Sequence, residues 1–221
     1  MNMKNLKQLV LLIAITTLVA CSDNQLKITG SGKIISENRT VNSFDKIHTT
    51  ASLDINVVQG NQQSIEVVAD DNVINNVITK VTGNTLDVQL KSGNYNNINV
   101  KVNITMVDLT ELNNTGSGNT TITDFLNIDN LEVVNTGSGN ISMSGNGSVL
   151  IITNSGSGNF NGFSFTTEDC SVNNSGSGNT QVNCTNNLSG ANSGSGNVSY
   201  KGNPSNITIT NTGSGNVVNA G

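Results

Sequence analysis

The chain has 221 residues, of which only 11% are charged and 3% aromatic, with no Trp and a net charge of −5. Typical domains carry roughly 25% charged residues; here Asn, Ser, Thr and Gly stand in their place, and Lys201 is the sole base beyond Lys101. That leaves no basic footprint to neutralise phosphates and excludes nucleic acid as a partner, while the many Val, Ile and Thr exclude a disordered composition.

The first segment reads MNMKNLKQLVLLIAITTLVAC, with Lys4 and Lys7 ahead of an apolar run from Leu9 to Ala20. This is the build of a secretory signal, and it is shorter than the roughly 20 residues a membrane-spanning helix needs. The ending Leu18-Val19-Ala20-Cys21 resembles the lipobox of bacterial lipoproteins, where the leader is cut before the cysteine and the thiol is acylated. On that reading residues 1–20 are a lipoprotein signal peptide, Cys21 is the lipidation site and residues 21–29 are a tether. The membrane is then a partner through the N-terminal lipid. The remainder is exported to the bacterial envelope, at the surface or periplasmic face of the outer membrane. An ordinary cleavage site before a Cys is the competing reading.

Residues 30–112 read as a less regular β region that caps the repeats of the C-terminal half. Leu53, Ile55 and Val57 share one strand face, as do Leu86, Val88 and Leu90, and then Ile98, Val100, Val102, Ile104 and Met106. Turn signals divide them at Gly60-Asn61, Gly83-Asn84 and Gly93-Asn94. Asp70-Asp71-Asn72, before Val73, Ile74 and Val77, is expected to cap a short helical turn.

From residue 113 to 221 the core GSGN returns at Gly116, Gly137, Gly156, Gly176, Gly194 and Gly213, at intervals of 21, 19, 20, 18 and 19 residues. A fixed period near 20 marks a solenoid. Six places before the later glycines stand Leu131, Leu150, Cys170, Leu188 and Ile207, and four places before them Val133, Ile152, Val172, Gly190 and Ile209. Apolar residues thus recur every second position, which is strand alternation. The expectation is an all-β chain, a parallel β-solenoid with coils of about 18–21 residues, one per repeat. Identical positions then stack about 4.8 Å apart, so each column wants one residue type.

Within the motif, the alternating glycines suit either a turn with positive φ or a close approach of backbones. The flanking Asn residues suit stacked amide ladders. If alternation continues through the motif, Thr136, Ser138 and Asn140 point outwards, followed by Ser157, Asn159, Ser177, Asn179, Ser195 and Asn197. Two readings of this face stand: a structural ladder, or a neutral polar surface for glycans or ordered water.

Chemistry is sparse. His48 is the lone histidine, so neither a Ser-His-Asp arrangement nor a His-based metal site is expected. The repeats lack spaced Asp residues for calcium. Asp70-Asp71 and Glu168-Asp169 are adjacent pairs, read as a helix cap and a solvated turn rather than acid/base couples. No metal, no cofactor and no catalytic residue are predicted. Cys170 and Cys184 share inward parity and suit either an export-compatible disulfide or two buried thiols. The terminal coil, from Asn211, carries no polar cap, which predicts self-association there.

Phe44-Asp45-Lys46-Ile47, Val57-Val58-Gln59-Gly60 and Gly83-Asn84-Thr85-Leu86, together with the GSGN series, resemble the head GIN domain family of auto-transporter-adhesin-like proteins over roughly residues 30–220. The resemblance implies a right-handed parallel β-helix in an exported, often lipid-anchored protein. It brings no catalytic residues with it. Together these readings predict a non-enzymatic, adhesin-like envelope lipoprotein contacting glycans or envelope proteins. The rivals are a structural envelope protein and an ice- or crystal-binding solenoid, the latter disfavoured by the uneven coil lengths.

Overall fold

The computed structural model describes residues 27–50 and 52–221; the leader, Cys21 and the start of the tether lie outside the described residues. In chain order the strands are β1 (Lys27–Thr29), β2 (Ile34–Arg39), β3 (Lys46–Thr49), β4 (Asp54–Gln59), β5 (Ser64–Asp70), β6 (Val77–Thr82), β7 (Thr85–Leu90), β8 (Asn94–Asn96), β9 (Val100–Met106) and β10 (Glu111–Asn114). The repeat region supplies β11 (Thr120–Asn135), β12 (Ile141–Asn154), β13 (Phe160–Asn174), β14 (Thr180–Asn192), β15 (Val198–Lys201), β16 (Asn206–Asn211) and β17 (Val217–Asn219). A 3-10 turn at Ile74–Asn76 is the one helical element among the described residues.

Successive coils pair in parallel, and the chain is a β-solenoid. In β11 to β14 each strand runs from one GSGN corner to the next, bending midway. Leu131, Leu150, Cys170 and Leu188 stack in one inward column, and Val133, Ile152 and Val172 in another, all at most 2% exposed. Phe125, Phe160 and Phe165 fill the wider interior. Burying each such Leu, Ile, Val or Phe contributes about 1.5–3 kcal/mol, so the alternation read from the sequence is the force that closes each coil. In the last coil Ile207 occupies the leucine column but is 47% exposed, because no further described coil covers it.

The N-terminal region joins this stack directly and out of chain order. One face runs β6-β7-β3-β10-β11, and the other carries β2-β5-β9-β4-β11. The coil made by β3 and β4 is therefore sandwiched between the later coils of β7–β9 and β10–β11. The antiparallel β6, β5 and β2 close that end of the stack. Core residues of both regions form one continuous cluster.

Two local expectations are corrected. The helical turn exists, but its N-cap is Val73 and no side chain caps it. Asp70 is instead fully buried, accepting hydrogen bonds from the backbone N–H groups of Gly32 and Asn99, both at 2.7 Å. Glu168 and Asp169 lie within β13 rather than in a turn, and Asp169 accepts from the side chains of Asn186 (3.1 Å) and Asn187 (2.6 Å) in the next coil.

Candidate functional site

The GSGN corners stack without slippage. Asn135, Asn154, Asn174, Asn192 and Asn211 are in register, as are Thr120, Ile141, Phe160, Thr180, Val198 and Val217. The register shifts fall elsewhere, between Ile122 and Ile128, Ser142 and Ser144, and Gly162 and Asp169. Variation in coil length is thus absorbed at the far side of the solenoid, and the motif columns stay straight.

The two glycine columns hold the corner together. None of these glycines has positive φ, so of the two roles open in the sequence the close approach is the real one. A Cβ at Gly137, Gly156 or Gly176 would overlap the carbonyl oxygen of its counterpart in the preceding coil, and the same holds for Gly139, Gly158 and Gly178. The closeness lets one carbonyl serve two donors: Gly137 O accepts from Ser157 N at 3.1 Å and Gly158 N at 3.2 Å, and Gly156 O does the same for Ser177 and Gly178. Backbone donors at the corner are thereby satisfied although the chain is not in a regular strand there.

The motif's first and last Asn do different work. Asn114, Asn135, Asn154, Asn174 and Asn192 point inwards and are at most 1% exposed. Asn135 Nδ2 bridges its own corner to Gly139 O at 3.1 Å, and its Oδ1 accepts from Asn114 Nδ2 at 3.0 Å. The last Asn of each motif makes an outer ladder. The N–H groups of Asn140, Asn159, Asn179, Asn197 and Asn216 each donate to the Oδ1 of the Asn one coil back, at 2.8–3.0 Å. Asn140, Asn159, Asn179 and Asn197 therefore face outwards with their carbonyl oxygens already engaged.

The hydroxyls are different. Thr136, Ser138, Ser157, Ser177 and Ser195 are exposed, and none of their hydroxyls has a hydrogen bond to another described residue. With Ser155, Ser175, Ser193, Thr212 and Ser214 they flank the first glycine column and line an open trough of ≈ 710 Å³ along the solenoid axis. From the Gly137 corner to the Gly213 corner are four coil spacings, about 19 Å at 4.8 Å each. The trough carries no charged side chain. The sequence named the outer serines, and the parity that placed Thr136 outwards applies equally to Ser155, Ser175 and Ser193.

One further rung was invisible as a repeat. The register pairs Thr49 with Asn114 and Ile55 with Thr120, which lays Thr49, Thr50 and Ser52 to Asp54 alongside the Asn114-Thr115-Gly116-Ser117-Gly118-Asn119 corner. Ser52 Oγ meets Ser117 Oγ at 2.6 Å, Thr115 Oγ1 donates to Thr49 O at 3.2 Å, and Asp54 Oδ1 accepts from Asn119 N at 3.1 Å. Asp54 is thus the first member of the outer Asn ladder. Its displacement by 65 residues from Asn119 hid it from a search at a period near 20.

The remaining candidates are apart from this face. His48 Nδ1 lies 3.0 Å from Asp87 Oδ1 in the neighbouring coil. Among the described residues no three His, Cys, Asp or Glu side chains come together. Cys170 and Cys184 are buried and free; Cys184 Sγ donates to the carbonyls of Glu168 (3.3 Å) and Asn187 (3.1 Å). The hydrogen bond with Cys184 and burial push the Cys170 thiol well above the usual range.

Among solved structures the chain is similar to a "putative adhesin" from Bacteroides fragilis, at 24% identity and a TM-score of 0.71 over 87% of this chain and 99% of that one. It is also similar to a "putative lipid binding protein" from Parabacteroides distasonis (23% identity, TM-score 0.54, 88% and 100% covered). A "putative adhesin" from Parabacteroides merdae matches at 20% identity and a TM-score of 0.51, with 87% and 99% covered. At these identities the likeness speaks for the fold. No curated protein matches the chain. Residues 43–204 match the family described as "Putative auto-transporter adhesin, head GIN domain", and the chain belongs to that family.

Proposed function

We propose that this chain is a non-enzymatic, adhesin-type protein of the cell envelope, anchored through a lipid on Cys21, whose hydroxyl trough contacts neutral glycans. The observation that carries the reading is the division of labour inside the motif. Glycines and both Asn columns join coil to coil or brace the corner, whereas from Thr136 onwards the Ser and Thr hydroxyls that line the trough bond to no other described residue and stand in straight, uncharged rows. Stability of the stack accounts for the former and leaves the latter unused. Repeated hydroxyls offer donors and acceptors to sugar hydroxyls at every rung, and the missing charge suits a neutral chain rather than a phosphorylated or sulfated one. The leader Lys4–Ala20 with Cys21 supports export and lipid anchoring, and membership of the adhesin family supports display on the envelope.

The test is a neutral-glycan array probed with the full chain and with a Ser157→Lys/Ser177→Lys variant. These serines, unlike Asn140 and Asn159, carry no ladder bond, so the variant keeps the fold while filling the trough. Binding by the parent chain and at least about a tenfold loss in the variant, a change of about 1.4 kcal/mol, is the expected result. Equal binding by both removes the trough as the site.

A further inference from the structure

The stacked motif columns have one end that differs from every other rung. Along the outer ladder the residue is Asn at each corner from Asn119 to Asn216, but at the N-terminal end it is Asp54. Beside it a second cavity of ≈ 420 Å³ opens, lined by Ile34, Ser52, Asp54, Val68, Ile98 and Val100, with Asn99 and Lys101 at its edge. Ser52 and Asp54 join the cavity to the motif columns: Ser52 meets Ser117, one corner before the trough, Asp54 extends the outer Asn ladder at Asn119, and both line the cavity. The cavity is therefore the place where the track of hydroxyls stops.

Its chemistry is unlike the track's. Asp54 spends Oδ1 on Asn119 N and leaves the other carboxylate oxygen uncommitted among the described residues. Lys101 is the register partner of Asp54 across β4 and β9, is exposed, and forms no ion pair with another described residue. The same cavity is lined by the aliphatic surfaces of Ile34, which is 46% exposed, Val68, Ile98 and Val100. A carboxylate that accepts from hydroxyls, an ammonium that donates, and an apolar floor are the groups a single sugar ring engages at once. Its hydroxyls meet the charges and its C–H face meets the side chains. Charge-assisted bonds of this kind are stronger than neutral ones, so this rung outweighs any one rung of the neutral track.

We propose that the cavity at Asp54 and Lys101 is a chain-end subsite. It holds the terminal sugar of an oligosaccharide whose following units lie along the Ser and Asn columns, so the protein reads glycans directionally, from one end. This rests on the glycan reading of the trough.

The experiment uses the full chain and three neutral hexasaccharides, cellohexaose, mannohexaose and chitohexaose, each free, capped at its reducing end, or capped at its non-reducing end. Affinities are measured by calorimetry. The expected result is that one cap, and not the other, weakens the bound hexasaccharide about tenfold or more. Asp54→Asn restores the residue that every other corner carries, so the ladder bond to Asn119 persists while the charge is lost. This variant, and Lys101→Gln, should bring the free sugar down to the capped level and abolish the difference between ends. Binding with both caps tolerated equally, or with Asp54→Asn and Lys101→Gln unchanged, overturns the chain-end subsite and leaves the trough reading intact. Absence of binding by all three hexasaccharides, with or without caps, overturns the glycan reading and the subsite together.

Discussion

Gly158→Ala isolates what the repeated glycines do. A Cβ at this position would overlap the carbonyl oxygen of Gly139 and lie 2.7 Å from its carbonyl carbon and 2.8 Å from Asn135 Nδ2. The obstacle is backbone, so no rotamer change relieves it; the coils must separate locally. Overpacking of this kind costs about 1–3 kcal/mol. Separation also stretches the bonds from Ser157 N and Gly158 N to Gly137 O, at 3.1 and 3.2 Å, each worth about 1 kcal/mol. The expected loss is about 3–5 kcal/mol. With an m-value of about 2 kcal/mol/M in urea, the midpoint should fall by roughly 2 M. The neighbouring Ser157→Ala, exposed and with a hydroxyl that bonds to no described residue, should stay within about 0.5 kcal/mol. Urea unfolding followed by circular dichroism, with m compared between variants, reads both. If Gly158→Ala shifts the midpoint no more than Ser157→Ala does, the glycines are not there for space.

The inner amides carry a second expectation. Asn135→Ala removes the bonds to Asn114 and Gly139 and strands a buried carbonyl, so the same titration should show a loss of about 2–3 kcal/mol; a loss below about 0.5 kcal/mol contradicts the ladder. For pH, the hydrogen bond from Ser31 and the nearby Lys33 hold the Asp71 carboxyl below its ordinary 3.8. Its contribution is present above that value and is lost as pH falls through the lower folded value. Carboxyl NMR should show Ser31→Ala raising the midpoint, and an unmoved midpoint refutes the assignment. Cys170 and Cys184 should resist alkylation until the chain unfolds and then both react; recovery of a linked peptide from non-reduced digests contradicts free thiols. Protease treatment of intact cells should remove the domain; protection until lysis would locate it in the periplasm and remove the adhesin-type role.

Much of this architecture was legible because stacking writes itself into the sequence. Leu131, Leu150, Cys170 and Leu188 recur at the coil period, and alternation on either side orients everything between them. The interruptions were less legible. Nothing in the spacing of Thr49 to Asp54 marks it as a rung. Its neighbours in the stack, Val88 and Asn114, are far away in sequence, and Leu53 stands beside Gly118 where every later corner has a glycine. Asp70 looked like a helix cap because short-range pattern is all a sequence offers; its donors, Gly32 and Asn99, come from distant loops. At the candidate site, parity placed the hydroxyls outwards, but only the hydrogen bonds separate the engaged Asn oxygens from the free Ser hydroxyls. The cavity beside Asp54 could not be read at all, since Ile34, Val68 and Lys101 meet there only through the antiparallel cap.

Whether the hydroxyl trough is a binding surface is read most directly by NMR titration of the isotope-labelled chain with the neutral hexasaccharides. Amide shifts should fall along the corner columns, at Ser138, Ser157, Ser177 and Ser195 and their adjoining glycines, and at Asp54 and Lys101 in the end cavity, with the buried strand residues unmoved. Shifts confined to other faces, or none at saturating sugar, would contradict a binding role for the trough.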